Sequence, residues 1–175
     1  DYGLQAMAST SPAKWHLAHT SWFFETFILK PFLHGYREFH PQFEQLFNSY
    51  YNGIGLQYPR AQRHLLSRPS VDEVFAYRRH VNEAMLTLLC AAQADLEPEI
   101  AERALLGCHH EQQHQELFFT DLKYCWFQNP AYPAYSNLPL PNIGAVPPMA
   151  WQQLSGGLYQ VGWDLHDGFC FNNEL

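Results

Sequence analysis

A chain of 175 residues is enough for one domain, or for one domain and part of a second. Its 47% hydrophobic and 16% aromatic residues exclude a disordered segment, and a net charge of -7 speaks against a nucleic-acid backbone as partner. No apolar run approaches the roughly 20 residues of a membrane span, and no basic, apolar and small-residue series marks a signal peptide.

In chain order, Ser11-Pro12 reads as an N-cap followed by proline at the first helical position. The helix it opens runs through "AKWHLAHTSWFFETFIL" and is expected to end or kink near Pro31. Residues 41 to 49, "PQFEQLFNS", predict a short helix; "NGIG" breaks the pattern, and "YPRAQRHLLSRP" holds another short helical piece. Ser70-Val71-Asp72-Glu73 has the form of a capping box. Behind it Val74, Val81, Met85 and Leu88 recur at helical spacing, predicting a helix to about Ala92. Pro98 opens the last long helix, carried to about Phe127 before Asn129-Pro130 stops it. Three long and two short helices predict a mainly α fold, an antiparallel bundle that is four-helical at its core.

Residues 129 to 150 hold six of the twelve prolines and no charged residue, the composition of a stiff extended linker. Beyond it "WQQLSGGLYQVGWD" alternates and turns at Gly156-Gly157, which predicts a β-hairpin. So short a segment buries no core alone, so the hairpin is expected to lean on the bundle or to belong to a further domain. The chain opens at Asp1 and stops at Leu175 within a pattern, and it reads as a piece of a longer protein.

The four cysteines (Cys90, Cys108, Cys125, Cys170) are scattered without a C-x-x-C pair and read as free thiols in a reducing, cytoplasmic compartment. Ten histidines are many for this length and point to a metal.

The densest group is "HHEQQHQELFF", in which His110, Glu111 and His114 spell H-E-x-x-H, the zinc-protease pattern. On a helix His110 and His114 stand one turn apart on one face, with Leu106 and Leu117 extending it, so two imidazoles can hold one ion. The plainer alternatives are two polar residues on a wet face, or hydrogen-bonded core histidines; the apolar stripe around the pair weakens the first. A protease needs a third ligand downstream, yet Leu117 stands where the extended motif has glycine, and prolines follow instead of a helix. The first helix offers His16 and His19 within "KWHLAHTSWFFE". His19 fits the Trp15, Trp22, Phe23 stripe better, and His16 reads as its neighbour. Glu116, two residues past His114, turns roughly 200° away and is no ligand. Glu111 lies beside His110 and reads at most as a support to the ligands.

Taken together, "SPAKWHLAHTSWFFETFIL", "LFNSYYNGIG", "PRAQRHLLSRPSVDEVFAYRRHV" and "HHEQQHQEL" resemble the DinB-like iron-binding domain of ergothioneine-biosynthesis sulfoxide synthases. The segment "GGLYQVGWDLHDGFCFNNE" is similar to the opening of the formylglycine-generating-enzyme-like domain that follows there, with Phe171-Asn172-Asn173-Glu174 where F-D-N-E is more usual. The resemblance implies a DinB-like four-helix bundle over residues 1–128, a linker over 129–150, and the start of the second domain over 151–175. It implies iron(II) held by His19, His110 and His114, replaceable by nickel or zinc in recombinant material. It further implies dioxygen-dependent C–S bond formation between a thiol (cysteine or γ-glutamylcysteine) and hercynine, a trimethylhistidine betaine, giving a sulfoxide. Arg60 and Arg63 match the arginine pair that holds the thiol substrate's carboxylates, a task suited to guanidinium forks; the bland alternative is two surface arginines. The proton donor is expected in the second domain, so this stretch alone should hold metal without turning over. Sister synthases of ovothiol or selenium chemistry share the architecture. A DinB-like thiol transferase or a structural metal bundle would keep the histidines without the arginine pair or the second domain.

Overall fold

The computed structural model describes residues 1–91, 98–139, 142, 144–163 and 168–174. Among these residues the chain is mainly helical, with five α-helices and no strand. They are α1 (Ala13–Phe24), α2 (Lys30–Phe32), α3 (Phe43–Phe47), α4 (Val71–Ala91) and α5 (Pro98–Phe127). All five lie in a compact unit, Asp1–Tyr135; a second unit, Ser136–Leu175, carries a 3-10 turn at Asn172–Glu174. The division falls inside the proline-rich stretch.

α1 is the central element. Nine of its twelve residues are buried, polar ones included, as suits a helix covered on several sides. It packs on α3, α4 and α5. Trp15, Ala18, Trp22 and Phe23 meet Val74, Tyr77, Val81, Met85 and Leu88 of α4 and Ile100 of α5 in one core. Each large side chain removed from water there contributes about 1.5–3 kcal/mol.

The helix start differs from expectation. Pro12, not Ser11, occupies the N-cap position, with no side-chain cap. Ser11 is diverted: its N–H donates to Asp121 Oδ2 at 2.8 Å, and its hydroxyl accepts from Arg63 at 2.8 Å. α1 then passes into a π-helical turn, Glu25–Leu29, before α2 ends at Phe32, one residue past Pro31. Within that turn Glu25, 2% exposed, accepts hydrogen bonds from Tyr77 Oη (2.5 Å), Tyr36 Oη (2.6 Å) and Phe39 N–H (3.2 Å).

The α4 start follows the sequence closely. Ser70 N–H donates to Glu73 Oε2 at 2.6 Å and Glu73 N–H to Ser70 Oγ at 3.2 Å, the reciprocal capping box. α5 comes close to α1 at Gly107, where an added Cβ would stand 2.6 Å from the Phe24 ring. That glycine lets the two helices approach.

The expected β-hairpin does not form: residues 151–163 carry no strand, and Gly156 and Gly157 lie in a bend. A two-stranded hairpin is marginal in water, because its few cross-strand pairs barely offset the entropy of ordering the chain. Ala92, the expected end of α4, and residues 164–167 of the second-domain segment lie outside the described residues. No helix among the described residues is long and apolar enough to cross a membrane.

Candidate metal centre

α1 and α5 bring His19, His110 and His114 together, with one nitrogen from each lying within 4.8 Å of the others. The pair on α5 follows from i, i+4 spacing; the third comes from the central helix. These are the three histidines singled out from the sequence.

Each ring is held differently. His19 is 2% exposed and stacks between Trp15 and Trp22, with centroids at 4.5 and 5.3 Å. Its Nδ1 lies 2.6 Å from the Phe47 carbonyl oxygen, which can only accept. Nδ1 therefore carries the proton, and Nε2 keeps a free lone pair. His110, 7% exposed, packs on the Phe23 ring at 4.7 Å, and its buried Nδ1 has no hydrogen-bond partner among the described residues. His114 Nδ1 lies 3.0 Å from His16 Nδ1.

Electrostatics favour the neutral rings that a metal requires. Burial first, then the His114 and His110 rings, holds His19 well below the usual histidine range. Burial lowers His110 to about 4, and burial with His110 and His16 nearby lowers His114 to about 2. All three are unprotonated at neutral pH. Neutral imidazoles with an orphaned buried nitrogen suit a borderline ion such as iron(II), nickel or zinc.

The histidines line a cavity of about 310 Å³ whose wall also carries Arg60, Arg63, Tyr50 and Gln113. Both arginines sit on a 3-10 turn, Arg60–Leu65. Arg63 is 4% exposed, its guanidinium 3.3 Å over the Trp15 ring, donating to Ser11 Oγ at 2.8 Å and Ser49 Oγ at 3.2 Å. Arg60 donates to Tyr50 Oη at 3.1 Å, and Tyr50 holds a left-handed backbone at φ 65°. Neither guanidinium is paired with a carboxylate among the described residues, and the Nε of each is buried without a partner. Burial, then Arg60, lowers Arg63 to about 9, which leaves it cationic at neutral pH. Asp121, which accepts from Ser11, offsets part of the Arg63 charge, yet two adjacent cations without a direct ion pair leave the wall attractive to an anion.

Glu111 faces elsewhere. It accepts from Arg78 at 2.6 Å and lines a neighbouring apolar recess with Thr20 and Leu17, reached by His114 and His16 but not part of the histidine–arginine cavity. Glu116 is exposed. Leu106 and Leu117, expected to extend the buried stripe, are each 37% exposed. The buried line on α5 runs instead through Ile100, Gly107, His110, Asp121 and Cys125. Sequence reading missed Asp121, whose one signal was its place two turns past His114 on the same face. It also missed Gln113, Ser11 and Ser49, for which no periodic signal existed.

A scan against protein-family models and a search of curated proteins gave no match.

Proposed function

We propose that this chain is the metal-binding part of a non-haem iron(II), dioxygen-dependent sulfoxide synthase, with a DinB-like bundle as its scaffold. The reaction, as in ergothioneine biosynthesis, replaces the S–H of cysteine or γ-glutamylcysteine and an imidazole C–H of hercynine by a C–S bond, with dioxygen as the four-electron oxidant giving one oxygen to the sulfoxide and one to water. The observation that carries this reading is one cavity with three neutral imidazoles and, on its wall, two guanidiniums that form no ion pair with a carboxylate among the described residues. A structural metal bundle or a thiol transferase has no use for that arginine pair. Iron(II), when bound, supplies the redox chemistry with dioxygen as oxidant.

The protein's residues have defined tasks. His19, His110 and His114 would hold the ion, and Phe47 fixes the His19 tautomer through its carbonyl. Arg60 and Arg63 bind the thiol substrate's carboxylates, and Trp15 keeps Arg63 in place by stacking. A proteolytic role is disfavoured because Glu111 is tied to Arg78 rather than aimed at the cavity.

The first test is metal binding by this chain. Iron(II), cobalt(II) or nickel(II) should bind at one equivalent, and His19→Ala, His110→Ala and His114→Ala should each abolish tight binding. Stoichiometric binding that survives His19→Ala would remove the three-histidine site. The second test uses a synthase containing the formylglycine-generating-enzyme-like domain as well. A carboxylate–arginine contact contributes about 1.5–3 kcal/mol, so Arg60→Ala and Arg63→Ala should each weaken thiol binding about tenfold or more. Unchanged affinity in both variants would return the arginines to a structural role.

A further inference from the structure

Behind the three histidines lies a buried polar chain that no part of the proposed reaction uses. Asp121, 8% exposed, accepts on Oδ2 from the Ser11 N–H at 2.8 Å and from His16 Nε2 at 3.1 Å. His16, 5% exposed, turns its other nitrogen, Nδ1, to His114 Nδ1 at 3.0 Å. Four atoms in line have one consistent proton arrangement when both rings are neutral. The carboxylate oxygen accepts twice, so His16 carries its proton on Nε2 and presents a lone pair at Nδ1. His114 must then donate from Nδ1, which leaves its Nε2 lone pair free.

We propose that Asp121 and His16 are positioning residues for His114: the Asp121–His16–His114 chain fixes the ligand's tautomer and ring orientation so that Nε2 faces the metal. This rests on the metal site proposed above. The arrangement extends the familiar pairing of a ligating histidine with a carboxylate by inserting a second imidazole between them. His16 reaches His114 from one turn of α1 before His19, so one helix supplies a ligand and the support of another ligand. Ser11 completes the chain, since its backbone donor helps hold Asp121 as an acceptor.

The test compares wild type with His16→Phe, which keeps the ring volume but removes both nitrogens, and with Asp121→Asn, which keeps the shape but removes the charge. Cobalt(II) affinity is measured by chelator competition. In parallel, long-range proton–nitrogen NMR on the metal-free protein reads the His114 tautomer. Wild type should show the Nδ1–H form. His16→Phe should mix the tautomers and weaken cobalt binding about 10–100-fold, and Asp121→Asn should do so by a smaller factor. An unchanged His114 tautomer with cobalt affinity within twofold in either folded variant would overturn the proposal, whatever happens to thermal stability. An Nε2–H tautomer in the wild type would overturn it as well. Should His16→Phe fail to fold, Asp121→Asn carries the same two readouts. Absence of cobalt binding by wild type would sink the metal site itself, and the NMR signal would still report whether the chain orients His114.

Discussion

Two buried polar clusters lie less than two turns apart on the helix that begins at Ala13, and they are completed to different degrees. At Glu25 the carboxylate meets three donors, from Tyr36, Tyr77 and the Phe39 amide. Around His19 some groups stay open: Nδ1 of His110 and Nε of both Arg60 and Arg63 are buried without partners among the described residues. A buried polar group left unpaired costs about 1–3 kcal/mol, so the first cluster stabilises the bundle while the second holds destabilised groups that a ligand would satisfy. The difference separates a satisfied polar core from a candidate binding site.

The largest effect that would break this comparison comes from removing its two centres. Glu25→Ala orphans the buried Tyr77 hydroxyl and deprives two half-buried donors of their acceptor, and should lower unfolding free energy by about 2–4 kcal/mol, measured by urea denaturation, with metal affinity changed by no more than a few-fold. His110→Ala should do the reverse, losing tight metal binding with the smaller stability change. A Glu25 variant of wild-type stability would mean that its three hydrogen bonds are not what holds the π-helical turn.

The clusters should also fail at opposite ends of the pH scale. The three histidines titrate below their unfolded value near 6.5, so the unfolded chain binds protons first as pH falls. Their contribution is present above about pH 6.5 and is lost as pH drops toward 4 and below, at up to about 4 kcal/mol per pH unit for three groups in the metal-free protein. Burial first and then Glu25 push Tyr36 and Tyr77 above the usual phenol value. Their stabilisation is present below about pH 10 and declines above it, where only the unfolded phenols ionise. Denaturation midpoints across pH check both limbs. His110→Ala should flatten the acid limb alone, and Tyr36→Phe the alkaline limb alone.

The smallest effect is expected at Gly107. Its Cβ would press on Phe24, so Gly107→Ala should cost about 1–3 kcal/mol by overpacking. By easing the helices apart it should also weaken metal binding several-fold. Unchanged affinity would show that the histidine spacing tolerates this movement.

Much of this was legible in the sequence because it depends on local rules. The capping box at Ser70, the proline that opens the last helix, and the i, i+4 histidine pair are each readable within a few residues. Joining His19 to that pair needed more, namely the aromatic stripe around it and a family resemblance. What stayed hidden is long-range. Ser11 reads as a cap until Arg63, 52 residues away, donates to its hydroxyl. Leu106 and Leu117 read as core until the crossing of the helices turns Gly107 and Asp121 inward instead. The hairpin failed for the converse reason: its alternation is a local pattern, whereas strands need partners that the segment does not itself provide.

The placement of His19 has a topological consequence. His110 and His114 sit a single turn apart, so an ion held by them alone would link nothing distant. Adding His19 closes a loop of about 90 residues, and cross-links across long loops remove the most freedom from the unfolded chain. A covalent link over that span would contribute about 4.5 kcal/mol in the chain-entropy picture. An ion bridging all three histidines is a reversible version of that link, joining the two ends of the helical unit, and a chelator would cut it.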